Sequence, residues 1–220
     1  MRTRPRWRNS TSWCATNPFF MLESSGHVAY VNSAAFKAAG VTRDTPDPPQ
    51  GRFERHADGA LTGRLEETPA YGPFVLKLPL PTAAEMRTRT RRLMDRASSL
   101  GCTALHDNGI GDFSKTDDLA LLESVMQDKP PVRYRGMLIA TLMDEWEKMG
   151  VKPGHGDDRF RVNGIKAWAD GAGQAGSAYQ RENYLGTDER GALNYSLAQL
   201  TDTIGRAQKA GWQVGVHANG

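Results

Sequence analysis

A lysine inside an apolar segment and a histidine at the end of another are the residues of this sequence best placed for chemistry. Lys166 lies in Val162-Asn-Gly-Ile-Lys-Ala-Trp168, flanked by apolar residues. An ammonium group in a buried strand is costly unless its charge is neutralised or used. His217 closes the segment Trp212–His217 and is followed by Ala-Asn219-Gly220. Two other segment ends are also ionisable, His106-Asp107-Asn108-Gly109 and Asp170-Gly171. A strand-end histidine or aspartate alone can simply cap the next helix. Their convergence on one rim of one sheet points instead to titratable groups gathered around a ligand.

The elements that must position these groups are legible from periodicity and breakers. Asn32 caps a short helix over 33–39 and Gly40 stops it. Thr45-Pro-Asp-Pro-Pro49 is a stiff connector. Two arms, 51–55 and 61–65, flank Asp58-Gly59, a strong hairpin signal. Pro69 to Pro81 reads as a proline-punctuated linker. Thr82 with Glu85 forms a capping box for a helix ending at Gly101. After it come a strand at 102–106, a helix at 117–127, a strand at 132–140 and a helix at 142–149. A strand at 162–168, a helix at 195–210 and a strand at 212–217 follow.

Strands separated by helices imply parallel crossovers and a buried parallel sheet. Four such strands fit either an open doubly wound sheet or half of an eight-stranded barrel. The expected organisation is an irregular tail over 1–17, an insert over 18–81 with a helix and hairpin, and the parallel α/β part over 82–220.

Composition narrows the function classes. The chain has 220 residues, 39% hydrophobic and 24% charged, with no apolar run near the ~18 residues a membrane span needs. Cys14 and Cys102 cannot build a disulfide framework, which fits a cytoplasmic protein. The net charge of +3 is no sign of nucleic-acid binding. Arg2, Arg4, Arg6 and Arg8 stand in a 22-residue start without acids, and the rest of the chain carries −1. Arg87, Arg89, Arg91 and Arg92 read as a solvated helix face. The tail has a transit-peptide composition, but Pro5 forbids an amphipathic helix, so an irregular chain start is the better reading. His56 and His155 read as loop histidines, and Met143, Trp146 and Met149 as helix packing.

Gly171-Ala-Gly173-Gln-Ala-Gly176 matches the glycines of a dinucleotide fingerprint and follows a strand. The context fails, because residues 177–186 offer no amphipathic helix to meet a pyrophosphate.

Five segments in register resemble the YtcJ-like metal-dependent amidohydrolases, the group that includes N-substituted formamide deformylases. They are Gly26-His-Val-Ala-Tyr-Val-Asn-Ser-Ala-Ala-Phe36, residues 51–66, Gly101-Cys-Thr-Ala-Leu-His-Asp107, Gly164-Ile-Lys-Ala-Trp-Ala-Asp-Gly171 and Gly211-Trp-Gln-Val-Gly-Val-His-Ala-Asn-Gly220. The resemblance runs from about Pro18 to Gly220. It implies a partial (β/α)₈ TIM barrel, about strands two to five, with part of a small β-rich insert. It also implies one or two divalent metals, usually zinc, at the C-terminal rim.

In that family Lys166 corresponds to a fourth-strand lysine, often carboxylated, and His217 to a fifth-strand histidine, both metal ligands. A neutral lysine amine can take up carbon dioxide to give a two-oxygen anionic ligand, and imidazole is a normal zinc donor. The metals would lower the pKa of a water and polarise a scissile carbonyl. His27, His106, Asp107 and Asp170 are the expected substrate-pocket residues, and a small-molecule amide or N-acyl compound the expected substrate.

The sequence departs from that pattern. It has no His-x-His pair and stops at Gly220, before a sixth or eighth strand. Two of the expected ligands are present where zinc takes at least three protein ligands. The expectation is a hydrolase fragment, inactive as an isolated chain, with open sheet edges that favour self-association. The alternative is a non-catalytic interaction module or an unproductive gene fragment.

Overall fold

Three helices begin on side chains that satisfy their own first N–H groups. Asn32 Oδ1 accepts from Ala35 N at 2.9 Å and opens α1, Ser33–Ala39, which Gly40 ends with φ of +72°. The reciprocal Thr82–Glu85 bonds open the 17-residue helix Ala83–Ser99, and Ser196 with Gln199 does the same for Leu197–Lys209. The computed structural model describes residues 16–79 and 81–220. The arginine-rich start, with Cys14, therefore lies outside the described residues, as does most of the 1–17 tail.

The chain divides into two compact units. The first takes in the residues up to the proline-rich segment before Pro81, together with Asp170–Asn194 and Asn219–Gly220. The second is Pro81–Ala169 with Tyr195–Ala218. The units are thus not contiguous in sequence: residues 170–194, expected with the parallel α/β part, belong with the first.

The first unit is built on an antiparallel sheet of order β1-β2-β4-β3, from Phe20–Leu22, Val28–Val31, Leu61–Glu66 and Arg52–Arg55 (β3). The β3–β4 hairpin turns at Asp58-Gly59 as its sequence demands. β1 and β2 have no counterpart among the expected elements, because three- and four-residue strands are too short to show a period. The linker expected at 69–81 is corrected over its first half. Thr68–Val75 is a helix, α2, with proline near its start and Pro73 inside it. Pro73 removes one N–H, but α2 buries Ala70, Tyr71 and Phe74 against Ala29, Val31, Phe53 and Leu65. Burial outweighs the breaker.

The second unit is a parallel sheet of order β5-β6-β7-β8 with helices between successive strands. The strands are Ala104–Ile110, Arg133–Ile139, Phe160–Trp168 and Gln213–His217. The helices are α3 (Ala83–Ser99), α4 (Asp117–Gln127), α5 (Met143–Lys148) and α6 (Leu197–Lys209). One face of the sheet is apolar. Ile110, Tyr134, Leu138, Val162, Ile165 and Ala167 pack with Met94 of α3, Leu119 and Leu122 of α4, Trp146 of α5 and Ala207 of α6. Trp146 is 2% exposed and donates its indole N–H to Ile139 O at 3.1 Å. The arginines of α3 are partly committed to internal contacts: Arg87 bonds Ser124 O and the Asp128 carboxylate, and Arg91 bonds Asp95 and Asp128 O.

Residues 173–175 form a single 3₁₀ turn, and no α-helix follows them before Leu197. The dinucleotide context is absent there. Among the described residues no helix is long and apolar enough to cross a membrane.

The α5 anchor gives the first expected outcome. Trp146→Ala removes a fully buried indole and should destabilise the chain by about 3–5 kcal/mol, read as a lowered midpoint in urea unfolding with unchanged slope.

Candidate functional site

Residues opposite each other in a β-ladder share a face, and alternate residues along a strand do too. Lys166 of β7 pairs with Ile139 of β6 and Gly215 of β8, and Trp168 pairs with His217. Lys166, Trp168, Gly215 and His217 therefore lie on one face, opposite the helix-packed face of Ile165 and Ala167. Lys166 and His217 are diagonal neighbours on adjacent strands. With strands ~4.8 Å apart and two rises of ~3.3 Å, their backbones are about 8 Å apart.

The Lys166 amine sits 5.1 Å from the centre of the Trp168 ring, a cation–π contact. Burial acts the other way and lowers the lysine pKa from its ordinary value. The sequence places this lysine by a bulge: Gly136 pairs with Val162 but Met137 with Gly164, so one extra residue enters β7 at Asn163. Val162 and Ile165, three apart, then both reach the apolar core, and Lys166 turns to the other face.

His106 and Asp107 require correction. They were expected where the second-unit sheet's first strand ends. β5 continues to Ile110, because Gly109 stands at an irregularity in the ladder and Ile110 is buried in the core. His106 pairs with Arg135, four residues before the Ile139 row that holds Lys166. It shares the face but sits far down the strand, exposed.

Asp107 is on the opposite face. Its Oδ2 accepts the Tyr134 hydroxyl at 2.7 Å and its Oδ1 the Gly109 N–H at 2.8 Å. Burial, and then the Asp107 charge, raise the Tyr134 pKa, so that hydroxyl stays a donor. Asp107 serves the helix-side core and does not face the strand surface that carries Lys166.

Asp170 and His27 belong to the first unit. Asp170 is 3% exposed. Its Oδ1 accepts Asn219 N at 2.9 Å, and its Oδ2 accepts Gly220 N at 2.7 Å and Tyr179 N at 3.1 Å. The carboxylate accepts from three backbone donors, which ties segments 49 or 50 residues apart. His27 is half-buried, its Nδ1 3.0 Å from Glu67 Oε2. The Ser177 hydroxyl donates to the other oxygen of Glu67. Sequence reasoning missed Glu67 and Ser177, whose contacts span 40 and 110 residues and leave no local signal.

His155 also differs from a simple loop histidine. It is half-buried, with Nε2 2.6 Å from Glu123 Oε1.

Among the described residues no three His, Cys, Asp or Glu side chains form a group able to hold a metal. Lys166 and His217 offer two nitrogen donors on one face, fewer than the three protein ligands of a zinc site. The residues present do not by themselves make a metal centre.

Comparison with known proteins agrees with the fold and identifies its lineage. The amidohydrolase family model matches residues 2–220. The putative amidohydrolase YtcJ of Bacillus subtilis is 28% identical over 212 residues, covering 92% of this chain and 38% of that protein. The N-substituted formamide deformylase of Arthrobacter pascens is 33% identical over 106 residues, 46% of this chain and 18% of that enzyme. A crystal structure of an uncharacterized metal-dependent hydrolase from Pyrococcus horikoshii superposes with a TM-score of 0.65 at 18% identity. It covers 96% of this chain and 41% of the other, a likeness of fold. The chain spans less than half the length of the curated relatives it matches. With a family match running from residue 2 to residue 220, this chain belongs to the amidohydrolase family.

Proposed function

We propose that this chain is the part of a metal-dependent amidohydrolase that supplies strands two to five of a (β/α)₈ barrel. The intact enzyme hydrolyses a C–N bond of a small amide or N-acyl compound. Lys166 and His217 are two ligands of its one or two divalent metals, zinc by the chemistry of the donors. The observation that carries this reading is their placement on one face of neighbouring strands. The strand order supports the barrel: β5 to β8 follow one another without the reversal that marks a doubly wound sheet. The lowered lysine pKa supports carboxylation of Lys166, because carbon dioxide reacts with the neutral amine. The exposed Cys102 thiol suits a reducing, cytoplasmic setting.

With two donors, the 220-residue chain alone neither holds zinc tightly nor turns over amides. That count favours a second reading for the isolated chain, a non-catalytic module. β5 and β8 each pair on one side only among the described residues, so the sheet has two open edges.

Three outcomes follow from these readings. Purified chain dialysed after zinc loading should retain well under one zinc per monomer by atomic emission; stoichiometric, tight zinc in a monomer would contradict the ligand count. In a longer protein that carries the remaining ligands, Lys166→Ala and His217→Ala should each weaken metal affinity. The loss should exceed the ~10–100-fold typical of residues that merely support a ligand, and unchanged metal content would remove both from the site. Light scattering across a concentration series should show self-association of the isolated chain, and a monomer throughout would mean the edges are covered.

A further inference from the structure

The sequence contains three Asn-Gly pairs, Asn108-Gly109, Asn163-Gly164 and Asn219-Gly220. Such a pair is chemically reactive, because glycine has no Cβ to keep its backbone nitrogen away from the carboxamide carbon of the asparagine before it. That nitrogen and that carbon must approach within about 3–3.5 Å, so the fold decides which pair can react. Gly164 is paired on both sides, with Met137 of β6 and Gln213 of β8, and Asn163 Oδ1 is buried. Asn219 donates from N to Asp170 Oδ1 at 2.9 Å and from Nδ2 to Gly171 O at 3.1 Å, and Gly220 N donates to Asp170 Oδ2 at 2.7 Å. Both of these pairs are held. Asn108-Gly109 is not. The β5–β6 ladder passes from the Asp107–Gly136 pair to the Ile110–Leu138 pair, so both residues lie in the irregularity with no partner on β6. Among the described residues β5 is also an edge strand, with nothing on its other side. Backbone with so few ladder bonds opens locally at low cost. Asn108 is exposed, and among the described residues its carboxamide has no hydrogen-bond partner. The Gly109 N–H points at Asp107 Oδ1, 2.8 Å away, a carboxylate within proton-transfer reach.

We propose that Asn108 is a modification site, deamidated spontaneously in the folded chain with water as the only co-reactant. Gly109 N forms a bond to Asn108 Cγ and gives up its proton to Asp107 or water. The Cγ–Nδ2 bond breaks, Nδ2 takes up a proton, and ammonia leaves. One water molecule then opens the five-membered imide at either of its two carbonyls, giving aspartate or isoaspartate. In total one water is consumed and one ammonia released, with no change of oxidation state. Either product adds a negative charge beside Asp107. The isoaspartate also adds one atom to the main chain of β5, between the ladder rows at Asp107 and Ile110.

The test uses the whole 220-residue chain, incubated folded at mildly alkaline pH and, in parallel, unfolded in urea. Samples are digested under acidic conditions, and mass spectrometry of the peptides reads the exchange of an amide NH₂ for OH at each asparagine. In the folded chain Asn108 should convert at least about tenfold faster than Asn163 or Asn219, a difference of about 1.4 kcal/mol in barrier. In urea the three rates should converge. Gly109→Ala fits the fold, since its Cβ would stand 3.7 Å from Asp107 Oδ1 and 3.8 Å from Asp112 Cβ, ordinary contact distances. It should slow conversion at Asn108 by about tenfold and leave the urea midpoint in place. Folded-state conversion at Asn163 or Asn219 as fast as at Asn108 overturns the proposal. So does an Asn108 that keeps its amide in the folded chain while losing it in urea, or a Gly109→Ala chain that converts at the wild-type rate. None of these readouts depends on metal or turnover, so this proposal and the amidohydrolase reading can fail separately.

Discussion

A sheet has two faces, and in β5 to β8 one is apolar against the helices while the other mixes buried apolar side chains with ionisable ones. Ile110, Leu138, Ile165 and Ala167 saturate the face against the helices. The opposite face carries His106, Arg135, Lys166 and His217 beside the buried Met137 and Ile139. In a parallel sheet, where strands are ordinarily apolar on both faces, this set marks the face as one that the described helices do not cover. The bulge at Asn163 makes the point sharply. One residue fewer in β7 would turn Lys166 into the core beneath the helices, where an unpaired ammonium would cost several kcal/mol. The irregularity in the ladder is what allows an apolar core and a lysine on the far face to coexist in one nine-residue strand.

The titratable groups of the two units are handled in contrasting ways. Asp170 receives three backbone donors and Glu67 a ring nitrogen and a hydroxyl. Each carboxylate accepts more than one hydrogen bond, and each joins segments that lie tens of residues apart. Lys166 is different in kind. The Trp168 ring beside it favours the charged amine weakly, by ~0.5–1 kcal/mol near the surface, while burial favours the neutral one.

Much of the fold was legible because its signals are local. Asn32, Thr82 and Glu85 announce helix starts within four residues of themselves, Gly40 and Gly101 announce stops, and the alternation of helix and strand gives the parallel sheet. Legibility failed where a local rule met a tertiary one. Pro69 and Pro73 read as a linker, yet burial of Tyr71 and Phe74 makes a helix there. The strand expected over 102–106 runs on to Ile110, because Ile110 belongs to the core and draws the strand on. Residues 170–194 follow β7 directly in sequence but belong to the other unit, since Asp170 and Ser177 find their partners at Asn219, Gly220 and Glu67.

The candidate site shows the same limit at single-residue scale. His106 and Asp107 are adjacent, of similar polarity, and equally eligible by type. The ladder sends them to opposite faces, one level with Arg135 and the other against the Tyr134 hydroxyl. Period two makes that choice binary, and one bulge inverts it for every residue beyond. Residue type can therefore nominate a ligand, but only register can seat it. Lys166 and His217 share a face because their offset is even across one uninterrupted parallel ladder from Gly164 to Trp168.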